Sequence, residues 1–495
     1  MPNRQPTTTI IIGSGLAGLT TALEILNKSS TSKVTIVEKT DKLGGNSIKA
    51  SSGMNGVPTR FHPQDSLDSV DVFYADTVKS GKGLSDEKLV KLLVENSGDA
   101  IHWLADEHAV ILNTLSQLGG HSHPRTHRGG GKLPPGFEII SALTKKLDEF
   151  KLSKPDRLSI LTHTRVSKLL VDSKHANKVN GVQYLSSAGE LQTLLGDNVV
   201  LATGGFSADV DQEDSLIKRF RPDLVEFPSS NGEQTTGDGA KLAERDVGAQ
   251  LIHMDKVQVH PTGFIKITNP NSNWKFLCGE VIRGIGGILL SPNTGMRFVN
   301  ELTTRDGVTD AIINNCKVKG DNNMNLKHET PIAAIVVNLV DYHKAKTHID
   351  FYGYQKLLHK GNIEDLLLFM KTLNPGLEIT RDSIAEHFQQ YNSYIRSGKD
   401  LQFGRSSFGG EFNIEHGLFY FGLVTPVLHF SMGGIKIDEH ARVITKADTP
   451  MSNLYAVGEV SGGVHGANRL GGSSLLECVV FGKLVSKSII PENST

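Results

Sequence analysis

Thr8-Thr-Ile-Ile-Ile-Gly13-Ser-Gly15-Leu-Ala-Gly18 is the stretch that decides the fold. Residues 8–12 are a β-branched apolar run, too short for a helix and typical of a strand buried on both faces. A helical pattern over 19–26 follows the glycines, and a second apolar run over 34–37 ends in Glu38, which lies 20 residues beyond Gly18. Strand, glycine-rich turn, helix, strand and acid in this order form a dinucleotide-binding βαβ unit. Gly13 makes the turn, Gly15 lets backbone N–H groups approach a pyrophosphate at the helix N-terminus, and Gly18 lets the helix pack on the strand. Glu38 is expected to accept hydrogen bonds from an adenosine ribose. The glycine pattern alone is a weak signal; the strand before it, the helix after it and the acid at the right distance make it specific.

Further along, 165–172, 179–185 and 191–194 read as a small antiparallel meander with polar turns. The run 199–202 then opens into Thr203-Gly204-Gly205. A three-stranded meander between parts of one nucleotide-binding sheet is more familiar in FAD-binding folds than in NAD dehydrogenases, and tilts the cofactor toward FAD. From about residue 260 to about 422 the texture changes: 331–339 reads as a strand, 363–373 and 381–396 as helices, and 317–329 as a polar loop. The glycine-rich style returns with Leu454-Tyr-Ala-Val-Gly-Glu459 and the run to Gly472. The expected fold class is therefore α/β, a discontinuous Rossmann-like FAD-binding domain (1–258 and 423–495) with an inserted α+β capping domain (259–422).

The composition narrows the function. With 495 residues, 52 Lys plus Arg and 53 Asp plus Glu, the formal charge is -1 and no basic field exists for nucleic acid or an anionic membrane. The 51 glycines are about a tenth of the chain, above the usual ~7%. Cys278, Cys316 and Cys478 are too far apart to suggest a metal or disulfide framework, and no haem or iron–sulfur pattern occurs. No run of 18 apolar residues is present, and the start is polar. A monomer of the cytoplasm is expected, with a mitochondrial location left open.

Several blocks then carry a resemblance: Gly44-Gly-Asn-Ser-Ile-Lys-Ala-Ser-Ser-Gly53, Leu118-Gly-Gly-His-Ser122, Gly131-Lys-Leu-Pro-Pro-Gly-Phe-Glu138, Gln234-Thr-Thr-Gly-Asp-Gly239, Gln258-Val-His-Pro-Thr-Gly-Phe264, Asn300-Glu-Leu-Thr-Thr-Arg-Asp306, His429-Phe-Ser-Met-Gly-Gly434 and Gly458 to Cys478. Over nearly its whole length the chain resembles the soluble, yeast-type fumarate reductases, within the FAD-dependent succinate dehydrogenase and fumarate reductase flavoproteins. The resemblance implies bound FAD contacted by Gly13, Gly15, Leu16, Ala17, Gly18, Glu38, Lys39, Gly45, Asn46, Ser47, Ser52, Gly53, Thr203, Gly204, Gly205, Asp238, Glu459, Arg469, Gly472, Ser474 and Leu475. Membrane-bound relatives link a histidine of the 44–53 region covalently to the flavin; Asn46-Ser47-Ile48 offers none, so FAD is expected to be non-covalent.

The resemblance also implies a four-carbon dicarboxylate under a mobile capping domain, with His260, Thr262, Glu301, His429 and Arg469 as substrate residues. Two carboxylates on a rigid alkene need donors on opposite sides, and Arg suits a carboxylate through its planar fork. His429 and Arg469 are assigned to one carboxylate, His260 with Thr262 to the other. Flavin N5 is expected to deliver hydride to one alkene carbon. On pKa alone, His260 or His429 would protonate the other carbon. The family instead implies Arg305 as donor, recharged through Glu280 and Arg283, which is tenable because a carbanion is a very strong base. Glu280 and Arg283 stand at i, i+3 and would share one helix face. Catalytic roles thus fall to Arg305, Glu280, Arg283, His260, His429 and Arg469. Electrons are expected from free reduced flavin or a redox partner.

Two alternatives stand beside this reading: a reductase of another activated alkene such as urocanate or methacrylate, and a catalytically silent flavin-binding electron carrier. His121, His123, Arg125, His127 and Arg128 have ligand-like spacing, but adjacent positive charges repel a cation, so no metal is expected and the group reads as a basic loop near the flavin or its entrance. Gly279 stands where bacterial members have Thr, which puts part of one carboxylate's hydrogen bonding in doubt.

Overall fold

The structure, a computed structural model, describes residues 6–130, 133–186, 188–320 and 324–490. Residues 1–5, Gly131 and Lys132 of one quoted block, and 321–323 of the polar loop lie outside the described residues.

Strand Thr8–Ile12 pairs in parallel with Lys33–Val37 on one side and Asn198–Leu201 on the other. Leu158–Leu161 and Pro450–Ala456 extend this sheet in parallel, and Arg442–Ile444 closes one edge antiparallel. Near-continuous apolar strands need cover on both faces, and helices Leu16–Lys28 and Ser473–Ile489, which pack on each other, supply part of it. The first helix starts three residues before the 19–26 pattern because Gly15, in extended conformation, already caps it. Gly13 sits at φ +102, and a Cβ there would lie 2.3 Å from Ala202 O. The meander appears as Arg165–Val171, Val179–Leu185 and Leu191–Leu195, antiparallel in that order.

A second sheet aligns Phe276–Leu277, Val257–Phe264, Phe419–Ser431, Ala333–Asn338 and Ile288–Leu290, all antiparallel. The expected strand 331–339 is split: Thr330–Pro331 pairs with Lys317–Val318, and Ala333–Asn338 joins the larger sheet. Pro331 has no N–H to donate, so the ladder breaks there. Helices Ile363–Leu373 and Arg381–Ser397 cover this part. One apolar core is drawn from residues 10–257 and 428–490, and three others lie within 264–424. The fold is thus a Rossmann-like α/β unit interrupted by an inserted α+β unit. Among the described residues no helix is long and apolar enough to cross a membrane.

Candidate active site

A cavity of about 480 Å³ opens at the carboxyl ends of the parallel strands, where α/β sheets hold their ligands. Gly13, Gly15, Leu16, Ala17, Glu38, Lys39, Gly45, Asn46, Ser47, Ser52, Gly53, Thr203, Gly204, Asp238, Glu459, Gly472, Ser474 and Leu475 all line it. Gly18 and Gly205 are not among its lining residues. Gly18 supports helix packing, since a Cβ there would meet Gly13 O at 2.1 Å; at Gly205 it would meet Ser431 Oγ and Glu459 Oε1.

The residues present fit a flavin dinucleotide. The N-termini of helices Leu16–Lys28 and Ser473–Ile489 both begin on the cavity wall, offering backbone donors and positive dipole ends to phosphate or to a polar ring edge. Thr203 Oγ1 is buried on the wall with no hydrogen-bond partner among the described residues. Some lining groups are engaged with one another. Glu38 accepts from Ser14 N (3.0 Å) and Ser14 Oγ (2.6 Å) on one oxygen and from Thr40 N and Thr40 Oγ1 (2.9 Å each) on the other. Lys39 pairs with Asp238 at 2.9 Å, and Asn46 donates to Thr235 Oγ1 at 2.6 Å. Burial pushes the Glu459 carboxyl up to about 7, against the Ser431 N–H that it accepts.

The same cavity ends among His260, Arg305, His429 and Arg469. Strand Val257–Phe264 delivers His260 through a register irregularity between His260 and Gly263, where Pro261 cannot serve a ladder. The paired strand Phe419–Ser431 delivers His429, and the two rings are 5.3 Å apart at 62°. Arg305, the first residue of helix Arg305–Asn315, donates through Nε to Glu280 Oε2 at 3.0 Å and through Nη1 to Gln258 Oε1 at 2.8 Å. Arg469 Nη2 donates to the same Gln258 oxygen at 3.2 Å, while its Nε is buried without a partner among the described residues. Gln258 Nε2 in turn donates to Asn468 Oδ1 and Arg469 O, both at 2.9 Å. One amide thus bridges both guanidinium groups.

Burial and the neighbouring arginines, Arg305 first among them, hold both His260 and His429 well below the ordinary imidazole value, so both are neutral near pH 7. Burial, reinforced by Arg305, lowers Arg469 to about 9. Burial alone would raise the Glu280 carboxyl, but Arg305 and Arg283 outweigh it, helped by the Gly119 N–H at 2.7 Å, and bring it to about 2. Glu280 and Arg283 share the short helix Glu280–Gly284. Burial lowers Arg283, whose Nε and Nη2 have no partner among the described residues.

Not every expected substrate residue reaches the cavity. Thr262 Oγ1 donates to Cys278 O at 3.1 Å, and its N–H donates to His260 Nδ1 at 3.2 Å, so it holds His260 rather than facing a ligand. Glu301 is fully buried between Arg297 (2.8 Å) and Arg405 (3.0 Å), which draw its carboxylate away from the site. The basic loop expected near the flavin or its entrance lies against the cavity-lining Gly53, but residues 126–128 form a strand and its charges are turned inward rather than displayed. Arg125 is turned inward, held at 2.6 Å by both Asp68 and Asp76; His127 lies between Thr59 Oγ1 and Arg125 O; His121 reaches Gly471 O. Two buried carboxylates draw the arginine inside. Gly279 N–H donates to Tyr352 Oη at 3.0 Å, and a Cβ at Gly279 would meet Ser51 Oγ at 3.0 Å.

Sequence reasoning assigned no role to Gln258, Gly119 or Ser230, whose Oγ lies 2.8 Å from His429 Nδ1. Gln258 stands two residues before His260 on one strand, a spacing that could have flagged it. The other two meet their partners only through the tertiary fold.

A family model described as an FAD binding domain matches residues 8–475. "Fumarate reductase 1" of Saccharomyces cerevisiae is 44% identical over 488 residues, covering 97% of this chain and 98% of its own. "Fumarate reductase" of Schizosaccharomyces pombe is 37% identical over 488 residues, covering 98% of this chain and 90% of its own. Among solved structures, the open conformation of a flavocytochrome c3 fumarate reductase matches with a TM-score of 0.75 at 32% identity, over 99% of this chain and 79% of that one. With a glycine-lined cavity at the strand ends, and arginines and histidines gathered at one end of it, the chain belongs to the FAD-binding flavoprotein family that includes the fumarate reductases.

Proposed function

We propose that the protein is an FAD-dependent fumarate reductase that produces succinate, with FAD held non-covalently and electrons supplied by free reduced flavin or a redox protein. The observation that carries this reading is the pair Arg305 and Arg469, bridged by Gln258 and facing the cavity beside His260 and His429. Reduced FAD, when bound, supplies the hydride. The chain's own residues hold the substrate and move the proton. Arg469 and His429 take one carboxylate, and His260 the other through Nε2, a buried atom without a partner among the described residues. Fixed positive charge at this end stabilises negative charge that develops on the substrate. Arg305 gives the proton to the second alkene carbon, and Glu280, ionised and 2.9 Å from Arg305 Nη2, passes the next one inward with Arg283. Residues 1–258 and 423–495 act as the cofactor domain and 259–422 as the cap.

The test is to bleach the holoenzyme anaerobically with dithionite and add fumarate, then urocanate and methacrylate. Return of the oxidised flavin spectrum with fumarate is expected. A spectrum that stays bleached with fumarate and returns with another alkene overturns the substrate. Arg305→Ala should keep its FAD yet lose this reoxidation, and acid precipitation should release all yellow colour into the supernatant.

A further inference from the structure

The two imidazoles at the end of the cavity are each tied down through Nδ1, by partners of different kinds. His260 Nδ1 accepts the Thr262 backbone N–H, which can only donate, so the neutral ring carries its proton on Nε2. His429 Nδ1 faces Ser230 Oγ at 2.8 Å, and a hydroxyl can donate or accept. The direction matters. If Ser230 donates, His429 offers Nε2–H to a carboxylate; if it accepts, Nε2 presents a bare lone pair that repels one.

We propose that Ser230 is a positioning residue for the dicarboxylate: its hydroxyl donates to His429 Nδ1 and so places the imidazole proton on Nε2, the nitrogen left for substrate. This rests on the dicarboxylate reading above. The surrounding hydrogen bonds favour this direction. The other acceptor within reach of Ser230 Oγ is Leu428 O at 3.2 Å, farther than the imidazole. That carbonyl already accepts the Ser230 N–H at 2.9 Å and lies within reach of Ser229 Oγ at 3.3 Å, so the Ser230 hydroxyl meets competition there. The shorter, uncontested contact to His429 is therefore the one assigned the serine proton. The geometry is held from behind, since Asn231 Nδ2 donates to His429 O at 2.6 Å and to Ser207 Oγ at 2.6 Å. Ser230 is buried on the cavity wall. Both sides of the site then end in the same chemistry, a neutral Nε2–H donor, one set by a backbone amide and one by a side chain that can be removed.

The test uses the FAD holoenzyme labelled with 15N-histidine, with the His429 ring signals assigned by comparison with His429→Gln. In the wild type, His429 should show a protonated Nε2 and an unprotonated Nδ1. Ser230→Ala should shift His429 toward a mixture of tautomers and raise KM for fumarate about tenfold, the cost of one hydrogen bond to a charged group, with kcat changed by less than about twofold. Ser230→Thr should restore both the tautomer and KM. If Ser230→Ala leaves the tautomer unchanged, or if KM does not move while the tautomer does, the proposal is overturned. Should the alanine variant fail to fold or to keep FAD, Ser230→Cys, a weak donor of similar size, is read in the same way. Because the tautomer is read without substrate, a wild type that does not reduce fumarate would overturn the proposed function and still leave the role of Ser230 decided by the spectrum.

Discussion

Gln258 uses both ends of its amide: the oxygen accepts from Arg305 and Arg469, and the nitrogen donates to Asn468 and to the Arg469 carbonyl. Removing it leaves two buried guanidinium groups each one acceptor short, next to each other. Gln258→Leu is therefore expected to lower kcat/KM for fumarate by about 100-fold, equivalent to a loss of ~2.7 kcal/mol, with FAD content unchanged by absorbance; normal turnover in that variant would show that the bridge is idle. At this scale the sequence was only partly readable. The arginines and histidines of the cavity end could be named because their chemistry is distinctive and their blocks are specific. Gln258 carries no charge and titrates nowhere, so nothing in the composition singled it out. Glu301 entered the expected substrate set through the resemblance of its block, and the block says nothing of Arg297 and Arg405, 4 residues earlier and 104 later in the chain, which hold its carboxylate.

At the scale of elements, the βαβ unit was fully legible because each of its signals is local. Thr8–Ile12, the glycine turn, Leu16–Lys28 and Lys33–Val37 occupy one short stretch, and propensity, turn chemistry and spacing all agree there. The contact that Gly18 makes with Gly13 O is close enough to be decisive. Gly18→Ala puts a methyl group 2.1 Å from that oxygen, so the helix must move off the strand and its N-terminus off the cavity. Purified Gly18→Ala is expected to contain less than about a tenth of the wild-type flavin and to melt lower, as judged by absorbance and thermal unfolding; full flavin occupancy would mean the helix can shift without harm. Non-local elements were not legible. The break at Pro331 depends on Lys317–Val318 lying alongside, and the inward turn of Arg125 depends on Asp68 and Asp76 from an earlier segment. Spacing within the His121 to Arg128 run says nothing of carboxylates about 50 residues away, so the run read as a basic loop.

For the molecule as a whole, the buried ion networks set how it responds to acid. Burial opposes ionisation of Asp76, Glu280, Glu301 and Asp400, but their arginine partners and the N–H and O–H donors around them outweigh it, so each carboxyl sits below its ordinary value. A carboxyl depressed on folding contributes stability above its unfolded pKa, here 3.8 to 4.5, and that contribution disappears as pH falls through the folded value. The protein is expected to unfold cooperatively below about pH 4, followed by circular dichroism, and Glu301→Gln should raise the midpoint pH and cost about 3 kcal/mol at neutral pH by stranding Arg297 and Arg405. An unchanged acid midpoint in Glu301→Gln would place the sensitivity in the other networks. The division into a cofactor part and an insertion was legible from the change in texture, whereas their join was not, and that join has a mechanical meaning. The chain leaves the cofactor part along Val257–Phe264 and returns along Phe419–Ser431, and these two strands pair with each other, Gln258 opposite Phe430 and His260 opposite Val427. Gln258, His260 and His429 thus sit on the paired strands that join the two parts, while Glu280 and Arg305 sit within the insertion. On the proposed reading, a swing of the insertion about these strands would carry the acid, Arg305, and its feeder Glu280 away from His260 and His429, which would stay with the strands.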